Sequence, residues 1–175
     1  PRFAPPSPEA QLARAGRLLA RTPGLYLQTH VAENVDEVRW VRELFPQARS
    51  YLDVYARHGL LTDHAVFAHG IWLDDADRAA LARVGAQVAF CPSSNLFLGS
   101  GAFDWPAAQA AGVAVSLASD VGGGTSLSMR RTLLDAYKVQ AGAGRRVTAY
   151  TLLHAATRGA AQALRLGHEM GSLEV

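Results

Sequence analysis

His30, Glu33, His69 and Asp120 are residues of the kinds that hold a divalent metal and move protons, and three of them stand at the ends of candidate strands. Imidazole nitrogens and carboxylate oxygens ligate an ion such as zinc at about 2.0 to 2.2 Å. A bound divalent ion lowers the pKa of its water to about 7, which makes a nucleophile at neutral pH. A carboxylic acid nearby can then protonate the group under attack. His30, His69 and Asp120 are the ligand candidates, and Glu33 is the candidate proton shuttle. A lone histidine after a strand is more often structural, but three ligand-type residues at successive strand ends, with a glutamate in register, favour chemistry.

The elements that must position them follow from the pattern around Gln28-Thr29-His30-Val31-Ala32-Glu33-Asn34. The run Leu25 to Leu27 leads in as a strand, and Val35, Val38, Val41 and Leu44 lead out at helical spacing. Asn34 with Glu37 three residues on reads as a capping box, which starts the helix just past Glu33. A helical pattern from Ser7 precedes this unit and ends at Pro23-Gly24, and Tyr51 to His58 follows as a short helix stopped by Gly59. Strands at Ala65–Ala68, Gln87–Phe90 and Val113–Leu117 then deliver His69, Cys91 and Asp120. Helices are expected from Asp74 to Gly85, Asp104 to Ala111, Ser126 to Val139, and over one long stretch from Thr148 to Leu164. His30, His69, Cys91 and Asp120 are spaced by 39, 22 and 29 residues, each about one strand–helix unit. Strand then helix, four times over, predicts a parallel sheet with right-handed crossovers and reactive groups at the strands' carboxyl ends.

Composition narrows the classes. At 175 residues, 49% hydrophobic and 18% charged, the chain can build one sizeable core. No run approaches the roughly 18 apolar residues of a spanning helix, and no charged-then-apolar leader precedes the fold, so no membrane partner is expected and the cytoplasm is the default compartment. The net charge is +2 and the arginines are scattered, without a stripe of interleaved aromatics, which argues against nucleic acid as a partner. A single cysteine, Cys91, excludes an internal disulfide framework. It also excludes the nucleobase-deaminase site built on two thiolates in P-C-x-x-C; Cys91 reads as a buried strand-end residue, with Asn95 a pocket contact in the loop after it. Gly122-Gly123-Gly124-Thr125 lacks the spacing and lysine of a phosphate loop. Its expected role is to let the backbone pass close beside Asp120, with Thr125 or Ser126 capping the next helix. Trp40, Trp72 and Trp105 read as packing residues, Trp72 being the one closest in sequence to the site.

The motifs together resemble the amidohydrolase superfamily and, within it, its guanine deaminase branch. They are Pro1-Arg2-Phe3, the Gln28–Asn34 stretch, Phe67-Ala68-His69-Gly70, Phe90-Cys91-Pro92-Ser93-Ser94-Asn95 continuing to Leu98-Gly99-Ser100-Gly101, Ser119-Asp120-Val121-Gly122-Gly123-Gly124-Thr125, and Ala136-Tyr137-Lys138. The resemblance runs from the first residue nearly to the last. It implies that His30 and Asp120, with His69 beside them, hold one zinc ion, or Fe(II) in its place. Asp120 would take the proton from the attacking water, His69 would hydrogen-bond that water and steady the tetrahedral intermediate, and Glu33 would protonate the purine ring nitrogen next to the attacked carbon. Arg2 and Phe3 would hold guanine, one on its carbonyl and one on its face, in a reaction that gives xanthine and ammonia. A homodimer is implied for the full-length protein.

Two departures bear on the fold. Family members carry His-x-His after the first barrel strand, and no two of the six histidines here are two residues apart. The chain is also shorter than the roughly 250 residues of a (β/α)8 barrel. The expectation is therefore a single partial domain, residues 1–175, forming the C-terminal half of a TIM-type barrel, strands about five to eight. The N-terminal half and the small β-sandwich would be absent, with Leu173-Glu174-Val175 as the approach to that sandwich. Two other readings stay open: a different reaction of the superfamily, on an adenosine derivative or a triazine, and a metal-free scaffold that kept the fold.

Overall fold

The computed structural model describes residues 1–173; Glu174 and Val175, and with them the approach to a sandwich, lie outside the described residues. Four strands, β1 (Leu27–Val31), β2 (Ala65–His69), β3 (Gln87–Phe90) and β4 (Ala114–Leu117), form one parallel sheet in sequence order. Helices α1 (Glu9–Arg21), α2 (Val35–Leu44), α3 (Tyr51–Arg57), α4 (Asp75–Val84), α5 (Pro92–Phe97), α6 (Trp105–Ala110), α7 (Met129–Gly142), α8 (Ala149–Ala156) and α9 (Arg158–Ala163) complete the described chain. No helix among the described residues is long and apolar enough to cross a membrane.

The register explains the two faces of the sheet. His30 lies level with Ala68, Ala68 with Ala89, and Ala89 with Ser116, so one face is lined by small and polar side chains around a histidine. The alternate residues Thr29, Phe67, Val88 and Val115, then Val31, Phe90 and Leu117, make the opposite face. There Phe67 meets Tyr55 of α3 at 5.6 Å between ring centroids, and Phe90 stacks on Phe103 at 5.0 Å. Leu12, Leu52, Leu60, Leu81 and Val88 are fully buried in the same core. The chemistry is thus held on the small-residue face by a core built on the other.

Several boundaries match the sequence reading because their caps are local chemistry. Asn34 accepts from the Asp36 amide at 2.8 Å, Glu37 reaches back to the Asn34 amide, and Asp74 caps α4, which Gly85 ends in the left-handed region. Helix α2 covers the predicted pattern, with Val41 fully buried and Val35 and Leu44 exposed. Three expectations are corrected. The residues after Cys91 are not a loop: Pro92 at the first helical position starts α5, and Asn95 is helical. Helix α7 begins at Met129, and neither Thr125 nor Ser126 is its cap; Thr125 bonds to Ser93 instead. The single long helix from Thr148 is two, because Thr157 (φ −131°, ψ −105°) leaves helical geometry between α8 and α9.

Gly16 in α1 is a close approach of backbones. A Cβ there would sit 1.8 Å from the His58 carbonyl oxygen at the end of α3. Gly16→Ala is therefore expected to cost about 2 kcal/mol despite alanine's better helix propensity. A thermal melt should show a midpoint lower by about 4 to 8 °C, and an unchanged midpoint would mean that the two helices separate at little cost.

Candidate functional site

His30 comes from the last turn of pleat in β1, and its position on the small-residue face follows from strand alternation. His69 does not follow alternation, which would leave it with Phe67 on the helix-covered face. Its backbone is left-handed (φ +70°), and its ring stacks on that of His30 with centroids 5.2 Å apart. Asp120, just after β4, is also left-handed (φ +46°), as is Ala32 between His30 and Glu33 (φ +48°). Non-glycine residues pay about 1 to 3 kcal/mol for such conformations, and they persist where the surroundings impose them, commonly at functional sites. Here the glycine loop does so for Asp120: a Cβ on Gly124 would lie 1.9 Å from the Ser119 carbonyl oxygen. Only glycine lets the chain fold back over the Asp120 turn.

Hydrogen bonds fix both imidazoles. His30 Nδ1 donates to the Arg2 carbonyl at 2.7 Å, and His69 Nδ1 donates to Asn95 Oδ1 at 2.9 Å. Each bond leaves Nε2 as the nitrogen with a free lone pair, the arrangement by which outer-shell acceptors orient metal-ligating histidines. His69 Nε2 is buried without a hydrogen-bond partner. It lies 3.4 Å from Glu33 Oε2 and 4.0 Å from Asp120 Oδ2, within ion-pair reach of both. One ligand atom each of His30, His69 and Asp120 falls within 4.8 Å of the other two. An orphaned buried nitrogen beside a carboxylate and a second imidazole is a donor set suited to a divalent cation, and nitrogen with carboxylate ligation suits zinc.

Glu33 borders that cluster through Oε2 without being one of its three members. Its Oε1 accepts from Ser100 Oγ at 3.4 Å, and its amide donates to Glu37 Oε2 at 3.2 Å. His30 and Glu33 also line a cavity of about 420 Å³ together with Arg2, Phe3, Trp40 and Ser100. The Arg2 guanidinium carbon lies 5.3 Å from the Phe3 ring centroid, and Phe3 meets His30 edge-on at 6.2 Å. Arg2, Phe3, His30 and Glu33 thus line one cavity, and His30 also belongs to the cluster with His69 and Asp120. Trp72 does not join them; its indole N–H supports the Ser100 carbonyl at 3.0 Å, and Trp40 is the tryptophan on the cavity wall. His58, His64 and His168 bond elsewhere, to Val54, Asp63 and Glu169. Burial, with the charges of Asp120 and Glu33, pushes the Cys91 thiol up to about 12, so it stays a neutral thiol beside the site.

Ser93 and Ser100 were legible only as parts of a motif. Ser93 accepts from the Thr125 amide at 3.1 Å and so ties α5 to the glycine loop that carries Asp120. Nothing in hydrophobic periodicity marks either serine; a small hydroxyl residue next to Cys-Pro or between glycines was the available signal.

A profile of the amidohydrolase family matches residues 1–175. The chain belongs to the amidohydrolase family. Among curated relatives it is 42% identical over 172 residues to the guanine deaminase of Escherichia coli strain K12, covering 98% of this chain and 39% of the relative. The solved structure of an E. coli guanine deaminase superposes with a TM-score of 0.96 at 42% identity, over 98% of this chain and 40% of that one. An adenosine deaminase from Xanthomonas campestris, solved with bound zinc, superposes at 0.87 and 31% identity over 97% of this chain and 39% of that one. This amidohydrolase chain therefore spans about two-fifths of the length of the relatives it matches.

Proposed function

We propose that this chain is the catalytic C-terminal half of a zinc-dependent guanine deaminase, the second half of a (β/α)8 barrel with strands about five to eight. The observation that supports the reading is a cavity lined by Arg2, Phe3, Glu33 and His30, with His30 shared by the cluster that includes His69 and Asp120. The guanine deaminase of E. coli, as a curated sequence and as a solved structure, matches it over nearly its whole length. The remaining ligands would come from the part of the protein not in this sequence, and β1 and β4, the edges of the sheet described, are where that part would pair. A dimer of such full-length chains in the cytoplasm belongs to the same proposal.

In this reading His30, His69 and Asp120 hold the zinc ion. When bound, the ion supplies a water made acidic enough to attack at neutral pH. Arg2, a donor-only group, takes the purine carbonyl, and Phe3 offers its face to the flat heterocycle. Asp120 would accept the proton of the attacking water as its oxygen joins the carbon bearing the amino group. Glu33 delivers a proton to the adjacent ring nitrogen. The carbon–amino bond then breaks as the leaving nitrogen takes the proton held by Asp120, the new hydroxyl returns a proton to Glu33, and ammonia and xanthine result. His69, with Nδ1 held by Asn95, would offer its Nε2 to the ion from the side of Glu33 and Asp120.

The test assays the longest natural chain that carries this sequence, with metal content measured on the same sample. Guanine, an adenosine derivative and a triazine are offered in parallel. Zinc near one per chain and ammonia released from guanine above the others is the expected result. Preference for an adenosine derivative would move the assignment toward the X. campestris relative's reaction. A chain holding no metal and releasing no ammonia would be a scaffold. Arg2→Ala is expected to raise KM for guanine by about 10- to 100-fold, the loss of one charged hydrogen bond of about 1.5 to 3 kcal/mol. Equal turnover of guanine by that variant would remove Arg2 from the substrate site.

A further inference from the structure

From the hydrogen bonds of α3 we infer that Tyr51 and Glu37 are positioning residues that clamp the Arg2–Phe3 segment to the start of the Glu33 helix, so that the substrate-holding and proton-delivering walls of the cavity move as one. The inference rests on the deaminase reading for what the cavity holds. The coupling itself is a property of this chain.

Tyr51 is buried, and its hydroxyl has a partner on each side. It accepts from the Ala4 amide at 3.2 Å and donates to Glu37 Oε1 at 2.7 Å. The other carboxylate oxygen of Glu37 accepts from the Glu33 amide at 3.2 Å and the Asn34 amide at 3.4 Å. An unbroken path of three hydrogen bonds thus joins the residue after Phe3 to the backbone of Glu33, a connection that an ordinary capping box does not make. Burial and the neighbouring carboxylate hold the Tyr51 hydroxyl well above the usual phenol range, which keeps the proton that the bond to Glu37 requires.

A second set of contacts one turn along α3 fastens the same pieces to β1. Tyr55 donates to the His30 carbonyl at 2.7 Å, and Thr29 Oγ1 donates to the Arg2 carbonyl at 2.9 Å. That carbonyl also receives His30 Nδ1 and the His30 amide. The Arg2 backbone is therefore fixed against β1, and among the described residues the hydrogen bonds of Tyr51 and Glu37 carry the connection on to Glu33. Charged networks in partly buried sites bind more tightly than their pairwise deletions suggest, so loss of the one hydroxyl should release both ends.

The experiment compares the parent with Tyr51→Phe, which keeps the ring, and with Glu37→Gln, which keeps the length but cannot accept from both sides. Amide hydrogen exchange is read at Ala4 and at Glu33 and Asn34, and kcat and KM for guanine are read on the longest natural chain. In Tyr51→Phe, exchange is expected to quicken about tenfold at both places, with KM raised and kcat lowered by about tenfold each and zinc content unchanged. Glu37→Gln should quicken the Glu33 and Asn34 amides and lower kcat by a similar factor. Faster exchange at Ala4 alone overturns the coupling. Faster exchange at both with unaltered kcat and KM makes Tyr51 a merely structural residue and overturns its positioning role. If the parent itself does not deaminate guanine, the functional reading falls, and the exchange data alone decide whether the two walls are joined.

Discussion

Replacing Glu33 by Gln is expected to lower guanine deamination by about 10³-fold while leaving bound zinc unchanged. The amide is isosteric with the carboxyl, so the reach toward His69 Nε2 and the bond from Ser100 survive, and the backbone contact to Glu37 is untouched. What disappears is a group that can give up and retake a proton. Glu33 lies outside the set of atoms that gather within 4.8 Å, which is why the metal should stay. Turnover measured beside metal analysis separates the two roles: zinc lost together with activity would make Glu33 a ligand, and activity retained would leave the ring nitrogen protonated by some other group.

The contrast between Glu33 and the residues around it shows what a sequence can carry. Glu33 was readable because its place depends on local rules: an apolar run, a strand end, and a capping box that starts the helix one residue later. His30 was readable for the same reason. His69 and Asp120 could be picked out as residue types at strand ends, but their orientation could not, because it depends on left-handed backbone that the tertiary structure imposes. Strand alternation alone would have turned His69 away from His30.

The supporting shell was less legible still. Asn95 was noted as a pocket contact, yet its bond to His69 depends on α5, a one-and-a-half-turn helix too short to show periodicity. Tyr51 read only as the start of a short helix, since nothing local says that its hydroxyl meets Ala4, 47 residues earlier. The break at Thr157 was missed because alanine-rich sequence on both sides favours continuous helix by propensity, and packing overrode it. On the proposed reading further ligands come from elsewhere in the protein, and this chain's residues supply one side of the cluster.

That one-sidedness makes Asp120 the more sensitive ligand. Asp120→Asn is expected to lower zinc affinity by at least about 10²-fold and guanine turnover by about 10⁴-fold. Asparagine tolerates the left-handed backbone as well as aspartate does, so the turn over Gly124 and the bond from its amide to the Asp120 carbonyl should persist. The substitution removes only the negative charge and the proton acceptor. By comparison, Asn95→Ala leaves every ligand in place and frees only the tautomer of His69, which should cost about 10- to 100-fold in metal affinity. Metal titration of the two variants against the parent orders these effects. Asp120→Asn binding zinc as the parent does would mean that the two histidines, with ligands from the rest of the protein, suffice for the ion, and the carboxylate would keep only its role as proton acceptor.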